Sequence, residues 1–341
     1  MDKDRQVPTL NDVARAAGVS TATVSRCLNS PDRVVKDTRE RVLKAVQALG
    51  YTPNFGAQMM AAKRTRTIGA IVPTLENAIF ARGLQAFQEE LHRRGYTLLM
   101  ASSAYAPEIE AEQIRTLVAR GADGLLLIGH ERDPQIYEYL QTQGVPVLVA
   151  WTYGTGNPQT CVGFDNRAAM EAMTQEVLSH GHRRIAVISG RSAGNDRVKL
   201  RLKGIAAAVA VAGLDPQQLQ QIETDYDVDS GADAFDQLMR SSPRPTAVIC
   251  GNDVLAVGAL RRAKELGIAV PEEVSITGFD DMELARIVSP TLTSVHVPHH
   301  EMGLKAAETL IAMVEKTGGV ESREIGTKLA IRASLGPAQG S

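Results

Sequence analysis

Three groups of residues in this 341-residue chain have types and spacings able to do chemistry. Gly190, Ser192 and Gly194 form a G-x-S-x-G turn between an apolar run and a helical pattern, followed by Asp253 or Asp280 and then His296, His299 or His300. That is the order in which an α/β serine hydrolase places nucleophile, acid and base. A second group consists of Glu76, Asn77 and Phe80, Trp151 and Tyr153, Asp165 and Asn166, Arg197 and Arg201, Asn252 and Asp253, and Asp280 and Asp281. Carboxylates, amides and guanidinium groups beside an aromatic plate suit a polyhydroxylated ligand, whose hydroxyls need bidentate acceptors and whose ring or chain needs a flat apolar face. The third group is Thr21, Ala22, Ser25, Arg26 and Asn29. Small hydroxyls approach phosphates and base edges, and an arginine can fork onto guanine in a major groove. The remaining titratable clusters, His180 with His182 and His296 with His299 and His300, lack a Cys or carboxylate at ligand spacing. They read as surface or helix-end histidines, and neither metal nor cofactor is expected.

The elements that must position these groups follow from periodicity. In TLNDVARAAGVSTATVSRCLN, residues 9–29, apolar positions at Leu10, Val13, Ala14 and Ala17, then Val24, Cys27 and Leu28, describe two short helices meeting at a turn. Gly18 tolerates positive φ, and Ser20 is a good N-cap for a helix of Thr21 to Leu28. This is a helix-turn-helix whose outward face carries the third group. Lys36 to Leu49 predicts a third helix, with Val42, Leu43, Val46 and Leu49 closing a three-helix core and Gly50 ending it. Pro53 and Asn54 then open a helix of only about seven or eight residues, too short to be stable alone, and Gly56 weakens it by about 1 kcal/mol relative to Ala. From Thr67 the texture changes. IGAIV, TLLMAS, GLLLI and VPVLVA read as buried parallel strands, alternating with amphipathic helices near 78–94, 108–120 and 133–143. RIAVISG, AVICG and SITGF repeat the pattern, with helices near 166–180, 196–212, 230–241 and 253–266. Two βαβ series imply two parallel-sheet lobes, in which ligands sit at the carboxyl ends of strands. The second group lies at those ends. Taken singly, Asp253 and Asp281 read as helix caps and Arg197 as a bridge to a surface carboxylate; taken together, the residues read as a pocket.

Charge separates the two parts of the chain. Residues 1–66 carry 12 Lys/Arg against 6 Asp/Glu, leaving 25 against 33 for the remainder. A basic head on an acidic body is the electrostatic footprint of a DNA-binding headpiece. Cys27, Cys161 and Cys250 share no close spacing and read as small buried hydrophobes in a reducing compartment. Neither an apolar N-terminal signal segment nor a run of 18 apolar residues is present, so a cytoplasmic protein without membrane contact is expected. The hydrolase alternative built on Ser192 lacks a glycine-rich oxyanion segment and leaves the basic head unexplained. A transport-type binding protein fits the two lobes but not the headpiece. No enzyme activity is expected.

Residues 9–66, through TLNDVARAAGVSTATVSRCLN, TRERVLKAVQALGYTPN and AQMMAAKRTRTIGAIVP, resemble the headpiece and hinge of the lactose/galactose-repressor family of bacterial transcription regulators. The resemblance extends over essentially residues 1–335. It implies a headpiece at 1–53, a hinge helix and linker at 54–66, and an effector-binding and dimerisation core at 67–341. The core would resemble a periplasmic sugar-binding protein, with one lobe near 67–164 and 298–324, the other near 165–297 and 325–336, and three crossovers between them. The implied fold is thus α/β, a helix-turn-helix headpiece and hinge helix before a two-lobed parallel-sheet core. Operator DNA would be contacted by Thr9, Ser20, Thr21, Ala22, Thr23, Ser25, Arg26 and Asn29, and in the hinge by Asn54, Ala57 and Met60, with Met60 as the minor-groove wedge. Glu76, Phe80, Trp151, Arg201, Asn252 and Asp280 are the expected effector-binding set. ENAIFARGL, YAPEIEAEQI and VGFDN resemble the gluconate-repressor branch, which implies that Arg201 clamps a sugar-acid carboxylate. The expected partners are double-stranded operator DNA, a sugar or sugar-acid effector and a second copy of the chain. No leucine heptad tail follows residue 320, which favours a dimer. The expected action is repression relieved by effector, with ligand-promoted DNA binding as the alternative sign.

Overall fold

The computed structural model of the chain describes residues 7–29, 31–52, 64–76, 79–154 and 156–339. It divides into two compact units, Met1–Thr65 and Arg66–Ser341.

The first unit contains α1 (Leu10–Ala17), α2 (Thr21–Asn29) and α3 (Lys36–Leu49). A reciprocal cap starts α1: the Asp12 N–H donates to Thr9 Oγ1 at 3.4 Å, and the Thr9 N–H donates to the Asp12 carboxylate at 2.9 Å. Hydrogen bonds from the Thr9 hydroxyl and amide hold the Asp12 carboxyl below its ordinary range. Gly18 closes α1 at φ 64°, and Ser20 Oγ accepts from the Thr23 N–H at 3.1 Å to start α2. The buried side chains are Val13, Ala14, Ala17, Val24, Cys27, Val42, Ala45 and Tyr51. Leu43 and Leu49, expected in this core, are instead 43% and 37% exposed. With Val42 at the centre of the buried face of α3, the i+3 and i+4 positions, Ala45 and Val46, share that face and Leu43 is turned about 100° away. Tyr51, beyond the cap at Gly50, fills the end in place of Leu49.

The second unit runs β1 (Thr67–Val72), α4 (Ala81–Arg93), β2 (Thr97–Ser102), α5 (Pro107–Ala119), β3 (Gly124–Ile128), α6 (Pro134–Thr142), β4 (Val147–Ala150) and β5 (Cys161–Gly163). It continues through α7 (Asn166–Ser179), β6 (Ile185–Gly190), α8 (Asp196–Val211), β7 (Gln220–Thr224), α9 (Val228–Met239), β8 (Ala247–Cys250), α10 (Asp253–Glu265), β9 (Ser275–Asp280), α11 (Leu284–Ile287) and β10 (Thr293–His296). The last elements are α12 (His299–Glu315), β11 (Arg323–Glu324) and β12 (Lys328–Ala330). One six-stranded sheet has the order β11-β5-β4-β3-β1-β2 and the other β12-β10-β9-β8-β6-β7. All pairings are parallel except β10 with β12. The chain therefore passes between the lobes three times, after β5, after β10 and after β11. Helix α12 lies so close to α4 that a Cβ on Gly303 would come within 1.9 Å of the Gly83 carbonyl oxygen.

Two expectations about the strands need correction. TLLMAS is an edge strand, not a buried one: Leu99 and Met100 are 37% and 45% exposed. The short strand β5, the polar edge strand β7, strand β10 and helix α12 were not anticipated. Five strand residues such as QQIET, at a sheet edge, carry too little apolar periodicity to be read. All three cysteines are buried and free. Among the described residues no helix is long and apolar enough to cross a membrane, and no cluster of three or more His, Cys, Asp or Glu has metal-binding geometry.

Candidate functional site

Between the two sheets of the second unit lies a cleft of about 660 Å³, whose walls include Glu76 and Tyr105 from one lobe and Arg191 and Tyr226 from the other. A second set of polar and aromatic groups is gathered at strand ends and on α8: Trp151 and Asn252 just after β4 and β8, Asp280 at the end of β9, and Arg201 within the helix that follows β6.

Arg201, 8% exposed on α8, is held from three sides. Its Nε donates to Asn166 Oδ1 at 2.9 Å, its Nη1 donates to the Gly251 carbonyl at 2.6 Å, and its guanidinium lies 3.9 Å from the centroid of the Phe279 ring. Those bonds account for two of its five N–H donors. Asn252, fully buried, caps α10 by accepting from the Leu255 N–H at 2.9 Å, while its Nδ2 has no hydrogen-bond partner among the described residues. Asp280 ends β9 at φ 100° and is 1% exposed, yet among the described residues neither carboxylate oxygen has a hydrogen-bond partner. Trp151 follows β4 at φ 61°, 2% exposed, with its indole Nε1 unpartnered among the described residues. Phe80 meets its ring edge-on, at 5.3 Å between centroids and 71° between planes. Gly83 leaves room for that ring, since a Cβ there would lie 2.6 Å from Trp151 Cζ2. Ala104, Tyr105 and Asp281 are also left-handed. Non-glycine residues in that region cost about 1–3 kcal/mol each and gather at functional sites.

Of the six expected effector residues, Phe80, Trp151, Arg201, Asn252 and Asp280 are buried, and only Glu76, which is exposed, lines the cleft itself. Several single-residue readings are corrected. Asp253 does not cap α10; it turns inward to accept from Ser294 Oγ and the Met282 N–H, each at 2.6 Å. Burial, with Asp280 and Asp281 nearby, pushes its carboxyl up to about 8. Asp281 is no cap either, but accepts from Arg332 at 2.6 Å, His296 at 2.9 Å and Arg286 at 3.4 Å. Those cations and hydrogen bonds outweigh burial and hold its carboxyl below the ordinary range. Arg197 is buried and donates to the Ile128 carbonyl of the opposite lobe at 3.1 Å as well as to Asp196. His182, read as a surface residue, is 1% exposed between Thr246, Ser275 and the Gly336 carbonyl. His299, read likewise, is 7% exposed at the start of α12.

Tyr105 and Tyr226 line the cleft and are not among the residues singled out from the sequence. The two tyrosines, 6.0 Å apart between ring centroids, follow the ends of β2 and β7, and the place of Tyr105 three residues beyond TLLMAS is its signal in the sequence. Tyr226 was hidden because β7 itself was not read. Its ring covers Gly190, where a Cβ would lie 2.2 Å from Tyr226 Cζ, and burial pushes its hydroxyl pKa up.

The G-x-S-x-G turn does not assemble a triad. The Ser192 N–H donates to Glu223, Asn195 caps α8, His296 engages Asp281, and His299 approaches Asp280 at 3.7 Å.

In the first unit, α2 presents Ala22 and Arg26 exposed, with Thr21 and Ser25 half-buried. The Thr9, Ser20 and Thr23 hydroxyls take part in the helix caps, and Asn29 is the last residue of α2. Asn54, Ala57 and Met60 lie outside the described residues.

Comparison with known proteins matches residues 9–54 to the family described as bacterial regulatory proteins, lacI family, and residues 174–335 to a periplasmic binding protein-like domain. The transcriptional regulator GntR of Escherichia coli K12 is 33% identical over 307 residues, 90% of this chain and 92% of that protein. The transcriptional repressor PurR of Vibrio atlanticus is also 33% identical, over 308 residues and the same shares. The Lac repressor dimer bound to operator and the anti-inducer ONPF superposes with a TM-score of 0.86 at 25% identity, covering 97% of this chain and 100% of that one.

Proposed function

We propose an effector-controlled operator switch for this chain, which belongs to the lacI family of bacterial regulatory proteins and is a DNA-binding transcriptional repressor, not an enzyme. The observation that carries the effector reading is the group of buried, unpartnered polar atoms on Asp280, Asn252 and Trp151 beside the clamped guanidinium of Arg201. An unsatisfied buried polar group costs about 1–3 kcal/mol, so a ligand that completes several at once gains affinity from each. The ligand is a sugar or sugar acid of the gluconate type, its carboxylate on Arg201, its hydroxyls on Asp280 and Asn252, and its carbon chain against Trp151 and Phe80.

Residues 1–53 act as the headpiece and 54–66 as the hinge, with 67–341 as the effector-binding and dimerisation core. Two copies in the cytoplasm hold two headpieces at a spacing that fits a pseudo-palindromic operator. Thr21, Ala22, Ser25, Arg26 and Asn29 read bases in the major groove, and Met60 wedges the minor groove at the centre. Effector binding rearranges the lobes, alters the hinge-to-hinge distance and releases the operator.

Trp151 is the only tryptophan and serves as its own reporter. Its emission and the melting temperature are followed against gluconate, other sugar acids, neutral sugars and their phosphates, and ligands that shift both are carried into an operator gel-shift titration. A sugar acid that shifts both signals and weakens the operator complex supports the reading. Silence across the panel removes the pocket chemistry, and tighter operator binding with ligand reverses the sign.

A further inference from the structure

We propose that His299 is a specificity-determining residue of the effector site, reading a ligand hydroxyl jointly with Asp280 and Trp151. The inference rests on the sugar or sugar-acid reading above.

Three buried groups converge at the start of α12. His299 Nε2 lies 3.7 Å from Asp280 Oδ1, too far for a hydrogen bond, and the His299 and Trp151 rings are 6.4 Å apart between centroids. Among the described residues neither oxygen of Asp280 nor the indole Nε1 has a hydrogen-bond partner, and the imidazole of His299 makes no bond of good geometry, its nearest polar neighbour being the backbone of Asp280. His182 shows the contrast: Thr246, Ser275 and the Gly336 carbonyl saturate both of its ring nitrogens, whereas His299 has only the Asp280 backbone beside it and keeps hydrogen-bonding capacity to spare. The strained backbone of Asp280 and Trp151 holds the trio in place, and Gly83 keeps a side chain away from the Trp151 ring.

The donor and acceptor inventory defines the occupant. Asp280 can only accept when ionised, whereas the indole can only donate. Burial lowers the imidazole pKa, so His299 is neutral at pH 7 and offers one donor and one acceptor. A hydroxyl satisfies such a set: it donates to Asp280 and accepts from the indole or imidazole. The remaining imidazole nitrogen can then accept from a second hydroxyl. A carboxylate at this end would face Asp280 charge to charge. The ligand is therefore oriented, with its anionic end at Arg201 and a hydroxylated end at Asp280 and His299.

The test uses the full-length protein with gluconate, 6-deoxygluconate, 5-deoxygluconate and glucose as probes, with Kd read by Trp151 fluorescence and calorimetry. Wild type is expected to bind gluconate and to lose about tenfold or more for one of the two deoxy compounds, the increment of a lost hydrogen bond to a buried polar group. His299→Phe keeps the ring shape without hydrogen-bonding atoms and is expected to weaken gluconate by about tenfold and to abolish its preference over that deoxy compound. His299→Gln restores part of both. Should the Phe variant fail to fold, by its unliganded melting curve, His299→Asn takes its place. Retention of full affinity and full preference by the Phe variant overturns the role of His299 while leaving the pocket intact. Absence of wild-type binding to any probe removes both this inference and the reading beneath it.

Discussion

The side-chain amide of Asn166 links Arg201 to Trp151: its Oδ1 accepts from Arg201 Nε at 2.9 Å, and its Nδ2 donates to the Trp151 carbonyl at 3.1 Å. One buried residue thus orients the cation and fixes the strained backbone beneath the aromatic plate. Asn166→Ala strands both partners, and a lost bond to a buried charged group costs about 1.5–3 kcal/mol. The expected result is a melting temperature lower by several degrees and effector affinity reduced about tenfold or more. Unchanged affinity by titration calorimetry would show that Arg201 needs no positioning.

Asp253 makes a prediction in pH. Its carboxyl is pushed up from 3.8 to about 8 by burial, so the folded chain binds this proton more tightly than the unfolded chain. Folding therefore takes up a proton between those values, and the contribution to stability is complete below the lower one and lost as pH rises through the upper one. Asp253→Asn, which keeps an acceptor for the Met282 N–H without the charge, should gain melting temperature over wild type at pH 8 and little at pH 4. A gain that is the same at both pH values would mean that Asp253 is ionised throughout.

Gly303 and Gly83 permit the contact between α12 and α4. A methyl on Gly303 meets backbone at 1.9 Å, which no side-chain rotation relieves. Gly303→Ala should destabilise the second unit by about 1–3 kcal/mol or more, measured by urea unfolding. A midpoint equal to wild type would show that the helices can separate there without loss.

Arg26 is exposed on α2. If it reads a base, Arg26→Ala should cost about 1–3 kcal/mol on operator and much less on unrelated DNA, by fluorescence anisotropy at fixed salt, while effector binding stays unchanged. Equal loss on both DNAs would reassign Arg26 to phosphate contact.

The chemistry of the proposed site is more readable in the sequence than the framework that holds it. Trp151, Arg201, Asn252 and Asp280 could be singled out because buried parallel strands announce themselves as apolar runs and their far ends are where a sheet of this kind exposes side chains. The helix-turn-helix was equally plain, since Gly18 and Ser20 sit where a turn and a cap require them. What escaped notice depends on neighbours distant in sequence. Tyr226 follows a strand too polar to recognise, and His299 has meaning only beside Asp280. Asp253 and Asp281, adjacent to turns, looked like caps, but Ser294, Arg332 and His296, which engage them, arrive from elsewhere in the chain. Leu43 lies off the face that Val42, Ala45 and Val46 share, and Leu49 gives way to Tyr51, whose burial beyond the Gly50 cap no helical period foretells.

The bond from Arg197 to the Ile128 carbonyl has a bearing on how the cleft opens. This guanidinium belongs to one lobe and the oxygen it meets is the end of a strand in the other. Separating the lobes must hydrate or re-pair a buried cation in a single step, because a hydrogen bond gives nothing back once stretched beyond its short range. Under the proposed switch this bond is a latch that any ligand-driven parting of the lobes would have to trip.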